Sequence, residues 1–456
     1  YSVGIGYTAG RYQTGSYNVF VGDFTGKGAQ TSAPYGSGNA LTAVGAYALG
    51  NTVSGDYNTA VGYSAAGNLR SGSQNVAIGD RAISSSPGTF ANVSIGNTSM
   101  YSATTSERNV AIGHQALYTT TTGGGNIAIG YETMRFSKGA ENVSIGMDSM
   151  EQSGPASFTV SIGSNAGRYA TGSYNTFVGA AAGKGGTTSA PFSSGVQNTA
   201  LGYNALAAFT TGIQNTILGS YAGQSITSGN YNTFVGSGAG NSITTGGQNT
   251  FLGRNVGTGA DDANFCVAVG DTVLNANFGN SNTGIGYNVL TGVTGTGNIG
   301  IGGNVNNASN SRNYTIGIGI NALRYNNAHY TVAIGFQAGE SNSGGAENTF
   351  LGASTGFKNE VGTQNTYVGY QAGAYATGSY NTFVGRNAGL GGASSAPYSS
   401  GEYNVAVGTR ALAGFTTGHS NIAVGYQAGD AITTGDRNTL LGTNAGSSLN
   451  VGYRNV

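Results

Sequence analysis

The sequence predicts an all-β protein, a parallel β-solenoid of about 26 rungs of 16 or 17 residues, on the strength of three observations. A pentapeptide of the form Asn175-Thr176-Phe177-Val178-Gly179 recurs from one end of the 456-residue chain to the other. Its closing glycine appears twenty-six times at steps of 16 or 17 residues, with three steps of 23. Its second position is always Val, Ile or Thr and its fourth always Val, Ile or Leu, the period-two alternation of a strand. A short fixed period over a whole chain indicates stacked rungs rather than a globular core. The expected organisation is a single continuous solenoid over residues 1–456, a segment of a longer fibrous protein, since the chain opens at Tyr1 inside one rung and ends at Asn455-Val456, the start of another.

Each position of the rung has a physical reading. Position one is Asn in twenty copies, with Ser2, Leu41, Thr159, Cys266, Thr315 and Thr331 as the exceptions; stacked Asn side chains can hydrogen-bond one another or cap turn backbone. Positions two and four share one face of the strand, expected to be the interior. Thr199, Thr216, Thr233 and Thr250 at position two are therefore expected inside, which argues against a water-ordering Thr surface. Position three points the other way and is either small (Ala77, Ser94) or large (Phe177, Tyr367); it is the expected contact between chains. The closing Gly permits positive φ or close backbone approach at a corner. A second short strand is expected after it, as in Tyr370-Gln371-Ala372-Gly373, and pairs such as Thr377-Gly378 supply turn chemistry before the next Asn.

At about 4.8 Å per rung the stack would be roughly 120 Å long. A rung encloses few apolar side chains, so a slender solenoid gains by packing sideways against copies of itself. Charged residues make up 7% of the chain, 17 basic against 17 acidic, so no long-range field draws in nucleic acid or an acidic membrane surface. No apolar run is long enough to insert in a membrane. The single cysteine, Cys266, excludes an intrachain disulfide and reads as a small residue in a turn.

Neighbouring rungs alone can meet in a solenoid, which filters candidate chemistry. His114, His329 and His419 lie rungs apart and make neither a triad nor a metal site. Gly179-Ala180-Ala181-Ala182-Gly183-Lys184 is one residue short of a phosphate-binding loop and continues with Gly185. No enzyme, cofactor or metal is expected. The three 23-residue steps hold inserts near residues 27–38, 184–195 and 390–401, with Pro34-Tyr35, Pro191-Phe192 and Pro397-Tyr398. Proline breaks strand pairing, so each insert is expected to bulge as a loop with an aromatic near its tip. These six residues are the candidate contact loops. Tyr before the Asn (Tyr17, Tyr57, Tyr174) and after the Gly (Tyr7, Tyr63, Tyr203) suits sugar or protein contact as well as it suits covering a corner.

Asn75-Val76-Ala77-Ile78-Gly79, Asn109-Val110-Ala111-Ile112-Gly113 and Asn126-Ile127-Ala128-Ile129-Gly130 resemble the Asn-Ser-Val-Ala-Ile-Gly repeat of YadA-like heads in trimeric autotransporter adhesins, and similar repeats occur in tail-fibre-like proteins. The resemblance covers nearly the whole chain, although the rung is longer and the Ser of the Asn-Ser pair is absent. It implies a left-handed parallel β-roll and a homotrimer outside a cell, on a bacterial surface or a phage virion. The implied function is that of a fibrous adhesin segment, a stiff rod for multivalent attachment to a surface, glycan, matrix protein or receptor. The alternative it leaves is a structural shaft whose binding tip lies elsewhere.

Overall fold

The computed structural model describes residues 1–28, 35–120, 122–186, 188, 192–307, 311–392 and 398–456. The described chain is a parallel β-solenoid with one strand per rung, twenty-six strands in all, and no helix among the described residues. It divides into two compact units, Tyr1–Ser237 and Gly238–Val456. The first contains β1 (Val3–Ile5) to β14 (Thr233–Val235), the second β15 (Thr250–Arg254) to β26 (Thr439–Leu441). Within each unit successive strands pair in parallel and in register, position two on position two, as in Val76↔Val93 and Val405↔Ile422. The long steps leave the register intact: Val19 pairs with Thr42, Thr176 with Thr199 and Thr382 with Val405.

Most strands are only three residues long because both ends are fixed by position-specific chemistry. At the front, the Asn side chain is buried and links rungs. Asn75 Oδ1 accepts from the backbone N–H of Asn92 at 3.0 Å and from its Nδ2 at 3.1 Å, while Asn92 Nδ2 also donates to the Ser106 carbonyl at 3.1 Å. The same ladder runs on through Asn109 and Asn126, so a row of interior amides is satisfied without water. At the back, the closing Gly turns the chain: Gly62 has φ 133°, and a Cβ there would lie 2.5 Å from the carbonyl oxygen of Gly79 one rung on.

The orientation of the strand is the reverse of the one expected. Position three is the interior: Ala43, Ala77, Ser94, Phe177 and Tyr367 are fully buried. Positions two and four face outward, with Leu201 at 50% and Ile422 at 41% exposure. Pairing the two β-branched positions on one face was right, but the buried Asn at position one shares its face with position three. The second strand after the Gly is also corrected. The segment there is a run of turns in most rungs, with the second and fourth residues in the left-handed region, as at Ser64 (φ 52°) and Ala66 (φ 48°). Their N–H groups bond alternately down and up the stack, Ser64 to the Ala46 carbonyl at 2.9 Å and Ala66 to the Ala82 carbonyl at 2.8 Å.

The interior is completed by residues three, four and seven places after the Gly, such as Ala205, Leu206 and Phe209 after Gly202. Position three and the fourth residue after the Gly exchange volume across this narrow core. Ala43 faces Leu49, Ala77 faces Ile83 and Ser94 faces Met100, whereas Phe177, Phe350 and Phe383 are matched by Gly183, Gly356 and Gly389. A Cβ at Gly183 would lie 2.1 Å from the Phe177 ring. The size alternation at position three is thus an internal packing code, not a surface fitted to another chain.

Candidate interaction surfaces

The outward face of each unit's sheet is a stripe of Val, Ile, Leu and Thr in register. Through Val143, Val160, Ile145 and Ile162 it is β-branched on both rows. From residue 176 the position-two row becomes Thr: Thr176, Thr199, Thr216 and Thr233 stand one above another, and Leu201, Leu218 and Val235 form the row beside them. Thr199, Thr216, Thr233 and Thr250 are exposed, contrary to the expectation that they point inward. The reason is the reversed strand face: the inward-pointing Asn and position-three residue use up the interior side. A stripe this regular differs from the single, scattered apolar exposures of ordinary monomers.

The corners are lined by aromatics. Tyr17, Tyr57, Tyr63 and Tyr203 are all at least half exposed. Many stack along the rungs: Phe158 on Tyr174 at 5.3 Å, Tyr380 on Tyr403 at 4.8 Å, and Phe24 on Tyr47 at 4.9 Å. Of the candidate loop residues, Pro34, Pro191 and Pro397 lie outside the described residues. Tyr35, Phe192 and Tyr398 are described, and each stacks on the Tyr of the preceding rung, on Tyr12 at 6.2 Å, Tyr169 at 6.0 Å and Tyr375 at 6.2 Å. Next to each, a backbone bridge ties the insert to that rung: Gln13↔Gly36, Ala170↔Ser193 and Ala376↔Ser399. In the described part of each insert, the aromatic ring thus lies against the preceding rung.

Titratable groups do not gather into a reaction centre among the described residues. His329 Nδ1 accepts from the Asn313 N–H and His419 Nδ1 from the Glu402 N–H, while His114 stacks on Tyr131 at 5.1 Å. No group of three or more His, Cys, Asp or Glu side chains could hold a metal ion among them. Cys266 takes its place in the Asn ladder, its N–H bonded to Asn249 Oδ1 at 2.9 Å, and burial pushes its thiol up to about 11. One corner carries an ion network: Arg168 bonds Glu151 at 2.7 Å and lies 3.7 Å from Asp148, and Arg135 bonds Glu132 at 2.9 Å. Burial raises the Asp148 carboxyl above the usual range despite Arg168. Such a network ties neighbouring corners together.

Among known proteins, no family model and no curated relative matches the chain. No helix among the described residues is long and apolar enough to cross a membrane.

Proposed function

We infer that this chain is the shaft-like segment of an extracellular fibre on a bacterial surface or a virion, that it assembles as a homotrimer, and that it attaches multivalently to a glycan, matrix or cell-surface partner. The observation behind this reading is the outward stripe. In each unit it presents two parallel rows of β-branched and Leu side chains on an in-register sheet, with Leu201 and Leu252 about half exposed. A second copy would remove that surface from water at about 25 cal/mol per Å² of apolar area, and a solenoid with so narrow a core gains from it. The resemblance of the rung to the heads of trimeric adhesins favours three copies. Repetition along the rungs favours binding by avidity, many weak contacts acting together.

The test is the mass of the isolated segment in sedimentation equilibrium. A species of three times the 45.5 kDa chain is expected. A stable monomer across the accessible concentration range would remove the assembly from this reading. The adhesive and purely structural readings separate on retention of a cell or matrix surface by the immobilised segment, which a bare shaft would not show.

A further inference from the structure

One groove in the first unit is not explained by stacking alone. The fifth residue after the closing Gly sits on a corner and is bulky in many rungs of this unit: Arg11, Lys27, Tyr101, Tyr118, Arg135 and Arg168. Over three consecutive rungs it shrinks to Gly50, Gly67 and Ser84. Removing those side chains opens a trough of about 520 Å³, which Lys27 lines at one end. Beyond the other end the position is again filled, by Tyr101 and Tyr118 stacked at 5.4 Å.

The two walls differ in chemistry. One is aromatic: Phe24 stacks on Tyr47, and Tyr63 meets Tyr47 edge-on at 5.9 Å and 74°, so the rings turn a corner and offer both a face and an edge. The other wall is polar, made by the sixth residues after the Gly. Asn51 and Asn68 occupy it on adjacent rungs, and both are exposed. Neither side-chain amide has a hydrogen-bond partner among the described residues, so each keeps two donors and an acceptor for a ligand. No carboxylate is among the described residues that line the trough. The volume is in the range of small-ligand clefts, and the trough extends across successive rungs from Lys27 to Ser84 and Ser85, an elongated form that suits a short chain-like ligand.

We propose that this trough binds an oligosaccharide strand, laid along the rungs with its apolar ring faces on Tyr47 and Tyr63 and its hydroxyls on the amides of Asn51 and Asn68. A sugar has the required duality: C–H faces that pack on aromatic rings, and a rim of hydroxyls that both donate and accept. The inference rests on the adhesive reading above and locates one site for it.

The experiment uses the full chain on an array of neutral, acidic and sulfated oligosaccharides, followed by titration calorimetry with the best array member. Saturable binding is expected. Ser84→Tyr, which extends the Tyr101 and Tyr118 stack into the trough, and Tyr47→Ala should each weaken it at least about tenfold. Asn51→Ala changes an exposed side chain that makes no hydrogen bond to the described residues, so it tests the polar wall with little cost to folding; several-fold weakening is expected. Tyr380→Ala, in the other unit, should leave binding unchanged. Absence of saturable binding across the array, or binding that Ser84→Tyr and Asn51→Ala leave untouched, would overturn the proposal. Either result is separable from failure of the assembly, because the trough lies within one chain and the sedimentation mass is read independently.

Discussion

At the scale of the residue, position one shows how a single side chain can set a repeat. An Asn there accepts from the backbone and amide of the next rung and donates to a carbonyl of the turn, as Asn75 and Asn92 do. Cys266 keeps only part of this. Its N–H is held by Asn249, but its thiol replaces the amide with a weak donor aimed at the Gly279 carbonyl, 3.4 Å from Sγ. Burial disfavours the thiolate and lifts the thiol to about 11, whereas an unfolded cysteine titrates near 8.5. The folded value is the higher one, so the contribution to stability is complete below about pH 8.5 and is lost as pH rises toward 11. A disulfide-exchange thiol reagent at pH 8 should therefore label Cys266 only on denaturation, and Cys266→Ser should flatten the loss of melting temperature between pH 9 and 11. Rapid labelling of the folded protein would show that the thiol is not buried.

At the scale of the element, the rung is a volume-balanced unit. Phe177 and Gly183 fill the space that Ala200 and Leu206 fill one rung later, and Leu206 has φ 52°, matching Gly183 at the same φ. Phe177→Ala alone should cost about 3–5 kcal/mol through the cavity it leaves. Gly183→Leu alone should destabilise by overpacking against the ring. The double variant should recover most of both losses, a coupling that a denaturant-melt double-mutant cycle measures directly; simple additivity would disprove the balance. This exchange was legible in the sequence. Phe20 with Gly26, Ala77 with Ile83 and Phe350 with Gly356 trade size in the same sense, and that signal identifies position three as interior. Alternation alone could not, because a period of two defines two faces without saying which is buried, and here the outward face is as β-branched as a core. The repeat, its register and the Asn ladder were readable because each is a local, repeated chemistry. Ser161 with Gly167 shows the limit of reading rungs singly: the space beside Gly167 is taken by Phe177 of the next rung, whose ring would lie 3.0 Å from an added Cβ. The trough was readable only as three small residues, Gly50, Gly67 and Ser84, at one corner position, a pattern without meaning until the corner is known to be a wall.

At the scale of the whole molecule, the reversed strand face decides what each unit offers to its surroundings. Had positions two and four been interior, the outside would alternate between Ala, Ser and Phe and could not form a flat, repeating contact. With position three inside, the outside is an in-register stripe of Val, Ile, Leu and Thr, and neighbouring residues of one strand face opposite fates. Ala200 is fully buried while Leu201 is 50% exposed. Ala200→Lys places an unpaired ammonium in a narrow, fully buried core and should cost on the order of 4 kcal/mol or more, read as a lowered or lost thermal transition. Lysine at Leu201, Leu218 and Val235 together puts three like charges on adjacent rungs of the outward row. That variant should keep the solenoid's circular dichroism and much of its thermal stability while sedimenting as a monomer, because the charges stay solvated in the free chain and are desolvated only when copies meet. If it retains the assembled mass of the unmodified chain, the stripe is not where copies join, and the contact must be sought at the aromatic corners.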